Sequence, residues 1–379
     1  MKSLQVSAVD RGLLTSLVQS ATFAPSLLNT QPWKFRISEK ESLITVLPDP
    51  DRRLDWLDPD KRYLFISLGC AVENLIIAAD HAGFQSSVQY RHYPDEKLTT
   101  ASVQIKTGTG KQPVQKPPVQ NNAAQNQTFQ TQPAQNQPVQ NQPVQNQPVQ
   151  NHAAQNPTSD LYDFIPLRRT NRKMYNKKPV PSEIIDRLNS IGKEPGQNIT
   201  IYSGTTRASE IGRLVMKADF MLLGSHEQKI ETLKWTRFNR KEEEKHGDGI
   251  SYRNTGGMNV PKWIGRSWMY LFNNGDSEAR HDAKKLKSSS ALVLFLSEQD
   301  NETSWFQTGR VLQRFLLHAT AEGLQHAYIN SPCEVRQVRE ELKRYLHLST
   351  YRPQILLRIG YAKEAAPSVR RPVQDVIVT

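Results

Sequence analysis

At 379 residues, 37% apolar and with a mean hydropathy of −0.62, the chain can fold two ordinary domains, but part of it is too polar to pack. The net charge of +12 is spread along the sequence and interleaved with acids, with no basic tail or aromatic-basic module, so no nucleic-acid partner is expected. No apolar run approaches the length of a membrane span, and two cysteines in apolar patterns, Cys70 and Cys333, make neither a disulfide framework nor a metal site.

The first segment lacks a continuous apolar stretch and reads as an amphipathic helix over about 5–23, not a signal peptide, which with the cysteine usage suggests the cytoplasm. "APSLLNTQPWKF" follows, a helix-to-strand junction crowded with backbone-directing residues, then an alternating strand, "ESLITVLPD". Asp58 stands as a cap before apolar residues at helical spacing, Leu64, Leu68, Val72, Leu75 and Ala79, and Gly83 stops that helix. "SSVQYRHYP" and "ASVQIKTG" alternate as strands.

Residues 111–155 resolve into pentads ending in Gln, most with Pro in third place, "NQPVQ" three times in succession. Repeated Pro blocks regular structure and almost nothing is available to bury, so 111–157 is expected to be a disordered linker between a first half, 1–110, and a second, 158–379. The second half repeats the grammar of the first. A helix at 181–192 precedes the strand "NITIYSG", a helix from about 206 to 223 and the strand "ALVLFLSEQ". The helix "WFQTGRVLQRFLLHATAEGL", the stretch "HAYINSP", a short helix, "EVRQVREELKRYL", and the strand "QILLRIGYA" complete it. The matching order suggests an internal duplication. His318 and His326 fall within the core pattern, as packing residues.

"APSLLNTQPWKF" resembles the nitroreductase pattern A-P-S-x-x-N-x-Q-P-W-x-F, and "LRRTNRKMY" resembles the R-R-S-x-R-x-F opening of that superfamily. The Pro-Ser motif precedes the Arg motif here. That order, with "DPDKRYLFISLGCAVENLIIAADHAGF" and the ending "TGRVLQRFLLHATAEGL … QILLRIGYA … RRPVQDV", is similar to the Acg-type branch of nitroreductase-like proteins. The resemblance implies an α+β fold of two tandem nitroreductase-like halves paired within one chain as a pseudo-dimer. It also implies one FMN, a small-molecule acceptor and NAD(P)H as possible electron donor; the lack of a spanning run separately gives the expectation of no membrane partner.

Site residues carry over by the same likeness. Pro25 would fix the turn, while Ser26, Asn29 and Gln31 would offer polar groups to the flavin and Trp33 would pack. Arg168, Arg169, Thr170 and Arg172 would meet the phosphate and pyrimidine, with Thr in place of the usual Ser, and Arg370 or Arg371 would join them. Lys285 matches a segment near the isoalloxazine, although a solvated Lys accounts for it equally well. Asn330 and Ser331 fall where the family presents a backbone N–H to the ring, without its usual Glu-Gly pair. The stretch 224–285, rich in Trp, resembles the branch's lid; an aromatic packing segment that never moves is the other reading. The implied activity is hydride transfer through FMN to a nitro or quinone-like acceptor, with flavin sequestration as the alternative.

Overall fold

The structure is a computed structural model and describes residues 9–93, 98–107, 161–222, 226–272 and 275–378; the pentad tract lies outside them. The first half runs α1 (Arg11–Ala21), β1 (Trp33–Ser38), β2 (Leu43–Pro48), α2 (Arg62–His81), β3 (Phe84–Tyr93) and β4 (Leu98–Thr107). In the second half, α3 (Ser182–Ser190) and β5 (Gln197–Ser203) lead into α4 (Thr205–Leu222), α5 (His226–Lys234) and β6 (Thr236–Arg237). The chain continues through α6 (Arg240–His246), β7 (Ile250–Ser251), α7 (Tyr252–Thr255), α8 (Lys262–Phe272) and α9 (Gly275–Ser288). It then returns to β8 (Ala291–Ser297), α10 (Glu302–Ala321), β9 (Gln325–Tyr328), α11 (Ser331–Glu334), α12 (Arg336–Tyr345), β10 (Arg352–Gly360) and β11 (Ile377–Val378).

Two main sheets result, ordered β11-β1-β2-β4-β3 and β5-β8-β10-β9, and β6 and β7 form a small parallel pair within the insertion. Without β11, each half has its first strand at one edge, then the second, fourth and third, all antiparallel. The duplication legible in the element order is therefore repeated in strand pairing. The halves differ at one connection. A tight turn joins β1 to β2, Ser42 N–H donating to the Glu39 carbonyl at 3.0 Å, whereas everything from α4 to α9 separates β5 from β8. The expected lid, 224–285, falls inside that insertion. Its root helices α4 and α9 cover one face of the second sheet, where Ile211, Val215 and Leu286 pack with Leu292, Leu294 and Leu356.

The centre of the molecule is the crossing of α2 and α10. α2 is the one described helix long and apolar enough to cross a membrane, yet most of it is buried in protein. Phe65, Leu68 and Val72 share a single core with Phe306, Phe315 and Leu316. The helices meet at Gly69 and Gly309, where a Cβ on either would lie 2.0 Å from a carbonyl oxygen of the other helix. Polar groups fasten the rim: Gln313 Nε2 donates to Asn74 Oδ1 (2.7 Å), and Glu73 pairs with Arg310 (3.0 Å) and Arg314 (2.7 Å).

Asp58 does cap α2, from a turn upstream. Its carboxylate accepts from Tyr63 N (3.0 Å) and Leu64 N (2.8 Å), while Lys61 at the N-cap takes a left-handed φ of 60°. Burial pushes Asp58 up to about 6 against those two hydrogen bonds, and pushes the neighbouring Glu334 up to about 7 against the pull of Arg62. Acids whose folded pKa is raised add stability that is fully present below their unfolded values and is lost as pH rises through the folded ones. Glu334→Gln should therefore lose less urea resistance than the parent between about pH 5 and about pH 8. Parallel curves for the two proteins would remove Glu334 from the titration.

Beyond β10 the chain returns to the first half. β11 pairs in parallel with β1, Phe35 opposite Ile377, and Phe35 N–H donates to the Val376 carbonyl at 2.8 Å. This strap carries Arg370 and Arg371 past the opening motif.

Candidate functional site

The opening motif is a tight, polar elbow. Leu28, Asn29 and Gln31 have φ of 50°, 54° and 51°, a left-handed conformation that L side chains with a Cβ seldom adopt. Ser26 Oγ staples the elbow by accepting from Gln31 N–H at 2.9 Å, and Pro25 is buried beneath it. Trp33 is wholly buried where the elbow enters β1.

The amides at the tip bridge the rest of the molecule. Asn29 Nδ2 donates to the carbonyls of Gly249 (3.1 Å) and Val369 (3.2 Å), and its Oδ1 accepts from Arg370. Gln31 Nε2 donates to the Gly247 carbonyl at 2.8 Å, and its Oε1 accepts from Arg371 N–H at 2.8 Å. First half, insertion and strap meet here. Two further ties hold the insertion down. Asp248 pairs with Arg52 at 2.8 Å and with Arg237, and Glu231 accepts from the backbone N–H groups of Asp55 (2.8 Å), Trp56 (3.2 Å) and Leu57 (2.8 Å).

From the second half comes Arg168. It is buried, its Nη2 lies 3.4 Å from the Phe23 carbonyl, and its Nε and Nη1 are buried with no hydrogen-bond partner among the described residues. Arg370 donates to the same carbonyl at 3.1 Å. Among the described residues neither has a carboxylate partner. Burial pushes both guanidinium groups down, and burial plus the charge of Arg168 bring Arg370 to about 9. A buried charge beside a half-buried like charge, with no counter-ion among the described residues, costs several kcal/mol and calls for an anion.

Tyr328 faces this cluster from β9. Burial drives its phenol well above the ordinary range, while Arg168, Arg172 and Arg370 pull the other way. Thr170 forms a parallel bridge with His326, two residues before Tyr328 on the same strand, so the "RRTNR" segment runs along the edge of β9. His326 is fully buried with both ring nitrogens unpartnered among the described residues; burial, then Arg168, hold it well below its usual value and hence neutral.

The expected residues thus divide. Asn29, Arg168 and Arg370 converge through the Phe23 carbonyl and the Asn29 amide, with Arg172 bearing on the same tyrosine. Arg371 turns the other way, to the Gln31 carbonyl (3.3 Å), Asp49 (3.4 Å) and the Asp375 carbonyl (2.8 Å), and so anchors the strap. Arg169 reaches only back to the Leu167 carbonyl, at 3.4 Å, and adds charge beside Arg168. Lys285 is paired with Asp282 on its own helix at 2.7 Å. Asn330 Oδ1 accepts from Leu356 N–H at 2.9 Å, and Ser331 Oγ donates to the Val215 carbonyl at 3.4 Å. Those two side chains fasten α11 to β10 and α4, away from the arginines.

Sequence reasoning passed over Tyr328, the Phe23 carbonyl and the Gly247–Asp248–Gly249 loop. The alternation of "HAYIN" carries a signal for the first, since it sets residues 326 and 328 on one strand face. The other two are backbone partners, which side-chain identity does not mark.

No family model matches the chain. It is 24% identical over 375 residues, 97% of this chain and 92% of the relative, to "Putative NAD(P)H nitroreductase Rv3131" of Mycobacterium tuberculosis (strain ATCC 25618 / H37Rv). It is 25% identical, over 97% of this chain and 96% of the relative, to "Putative NAD(P)H nitroreductase acg" of the same organism. Among solved structures, the FMN-dependent nitroreductase NfnB from Mycobacterium smegmatis in complex with NADPH aligns over 56% of this chain and 94% of its own, at 12% identity and a TM-score of 0.36. A nitroreductase with bound FMN from Bacteroides fragilis aligns over 57% and 95%, at 15% identity and a TM-score of 0.34. Over nearly its whole length, and in the order of its motifs, the chain is thus similar to mycobacterial nitroreductase-like proteins that include acg.

Proposed function

We propose that the chain binds one FMN at the junction of its halves and acts as an oxidoreductase, passing a hydride from NAD(P)H to a nitro or quinone-like acceptor. The observation that carries this reading is buried Arg168, two of whose guanidinium nitrogens have no partner among the described residues, beside half-buried Arg370; neither has a carboxylate partner among those residues, and together they have the charge and fork-shaped donors a phosphate requires. Arg172, Thr170 and Tyr328 border that position. The left-handed elbow at residues 28–31 and the Asn29 amide would orient the ring and ribityl chain. Bound FMN would supply the two-electron redox chemistry; the protein holds it in register and keeps water away under the insertion.

The names of the relatives and the FMN and NADPH in the solved neighbours agree with this cofactor and donor. On this reading the halves are 1–110 and 158–379, and the tract 111–157 is a spacer in a cytoplasmic protein. Deleting 111–155 and rejoining the ends through a Gly/Ser segment of matching span should leave flavin content unchanged; a large loss of FMN would move the boundary. At the α2–α10 crossing, Glu73, Arg310, Arg314 and Glu194 are paired among themselves, so these two arginines do not form a second couple lacking carboxylate partners among the described residues. That supports a single flavin.

Sequestration without turnover is favoured by two features: the insertion is tied to the first half at three places, and the turn "YINSP" lacks the family's Glu-Gly pair. Anaerobic addition of NADPH or NADH to the purified yellow protein separates the readings. Bleaching is the expected result. A stable colour with both donors would leave binding without reduction, and a colourless protein that takes up no added FMN would overturn both. Asn29→Ala should weaken riboflavin through the loosened elbow and FMN further, because the same amide ties the elbow to the insertion and the strap and its oxygen holds Arg370.

A further inference from the structure

Helix α8 of the insertion is built inside out. At 3.6 residues per turn Trp263, Ile264, Ser267, Trp268, Tyr270 and Leu271 share one broad arc, and that arc faces solvent: Trp263 is 71%, Trp268 64% and Leu271 68% exposed. The narrow opposite side packs inward, and at the edge of the arc Tyr270 meets His226 of α5 edge to face, its hydroxyl 3.3 Å from the His226 Nδ1. Gly265 is buried against Phe238, whose ring would lie 2.3 Å from a Cβ at that position, and Met269 is half-buried. Lone exposed apolar residues are ordinary, but a contiguous arc of large ones marks a surface that something covers.

Charge decides between the candidate covers. α8 carries Lys262, which also reaches Glu242 at 2.7 Å, and Arg266, and it has no acid. The chain as a whole bears +12, so a second copy is repelled at long range while an anionic surface attracts. Two Trp and a Tyr beside basic residues suit the boundary between headgroups and acyl chains. Eleven helical residues reach roughly 16 Å, about half the hydrocarbon thickness, so α8 can lie on a bilayer but cannot cross it.

We propose that the exposed face of α8 docks the protein onto an anionic bilayer surface, with the helix lying flat. This refines the expectation of no membrane partner, which rested on the lack of a spanning run, and it stands whether or not the flavin site turns over.

The test is flotation of the full chain with vesicles of equal parts phosphatidylglycerol and phosphatidylcholine, and with pure phosphatidylcholine vesicles. The parent should float with the anionic vesicles only, and added salt should release it. A Trp263→Ser, Trp268→Ser, Leu271→Ser variant changes exposed positions only and should melt like the parent, yet bind the anionic vesicles at least roughly tenfold more weakly. Equal flotation of parent and variant would reduce the contact to general charge and overturn the proposal. So would a parent that stays with the unbound fraction. A parent that sediments as a dimer while the variant is monomeric would assign the face to a second copy and overturn it as well.

Discussion

Arg168→Met should make the ligand-free protein more stable and its FMN complex weaker. Arg168 sits buried beside Arg370 with two guanidinium nitrogens unpartnered among the described residues, so in the absence of an anion it is a cost that the rest of the fold carries. An unbranched apolar side chain of similar length removes the charge without opening a large cavity, and exchanges of this kind stabilise by about 1–4 kcal/mol. The lost charge-assisted contact is worth about 1.5–3 kcal/mol, which weakens FMN roughly ten- to a hundred-fold. Riboflavin lacks the phosphate and should bind parent and variant equally. Thermal melts of apo-protein, with fluorescence titrations by both ligands, give the three signs independently. A variant that melts lower and binds FMN as the parent does would show that Arg168 is a structural residue whose charge finds no anion.

Gly309→Ala should have the largest effect on stability. On helix propensity alone the change gains about 1 kcal/mol, because Gly is the poorer helix former. At the α2–α10 crossing the sign reverses. The new methyl would sit 2.0 Å from the Ile66 carbonyl oxygen, and backbone cannot rotate aside as a side chain can. Forcing the helices apart also lifts Cys70 from its 3.1 Å contact with the Gly309 carbonyl and strains the shared core, so a loss of about 3 kcal/mol or more is expected, at the upper end for overpacking. Gly69→Ala should match it, since its methyl would meet the Phe306 carbonyl at the same distance. Urea midpoints compared with Gly323→Ala, where a Cβ meets nothing within 4 Å but φ is +70°, separate the crossing from ordinary backbone strain. If all three variants unfold at one midpoint, the helices are not in the close contact described.

Local chemistry made much of the fold legible. Apolar spacing located α2 and α10, alternation located β3, β4 and β10, and Asp58 announced the start of a helix even though it acts from a turn away. The repeated element order anticipated the repeated strand order because each half buries its own helix on its own sheet. Long-range pairing was far less legible. Nothing local distinguishes Arg370 from Arg371, which the strap sends to different partners, the one to Asn29 and Phe23 and the other to Asp49 and Asp375. At Asn330 and Ser331 the resemblance concerns a backbone N–H, and what the sequence left illegible is where their side chains go, to the Leu356 N–H and the Val215 carbonyl. The apolar face of α8 has helical periodicity, and periodicity says which residues share a face without saying whether that face looks inward.

The strap also bears on the order in which the molecule can assemble. Asn29 and Arg370 lie 341 residues apart in the chain, and β1 acquires its outer neighbour only from residues 377 and 378. Contacts of such separation close last, after the loop entropy of everything between has been lost. A folding intermediate can therefore have both main sheets and the helix crossing in place while β1 still shows a bare edge and the proposed phosphate position lacks Arg370. In that interval the chain is open to edge-to-edge association and has little hold on the cofactor. FMN added during refolding should consequently speed nothing before the strap docks and should suppress aggregation only afterwards, as a ligand that recognises the finished fold.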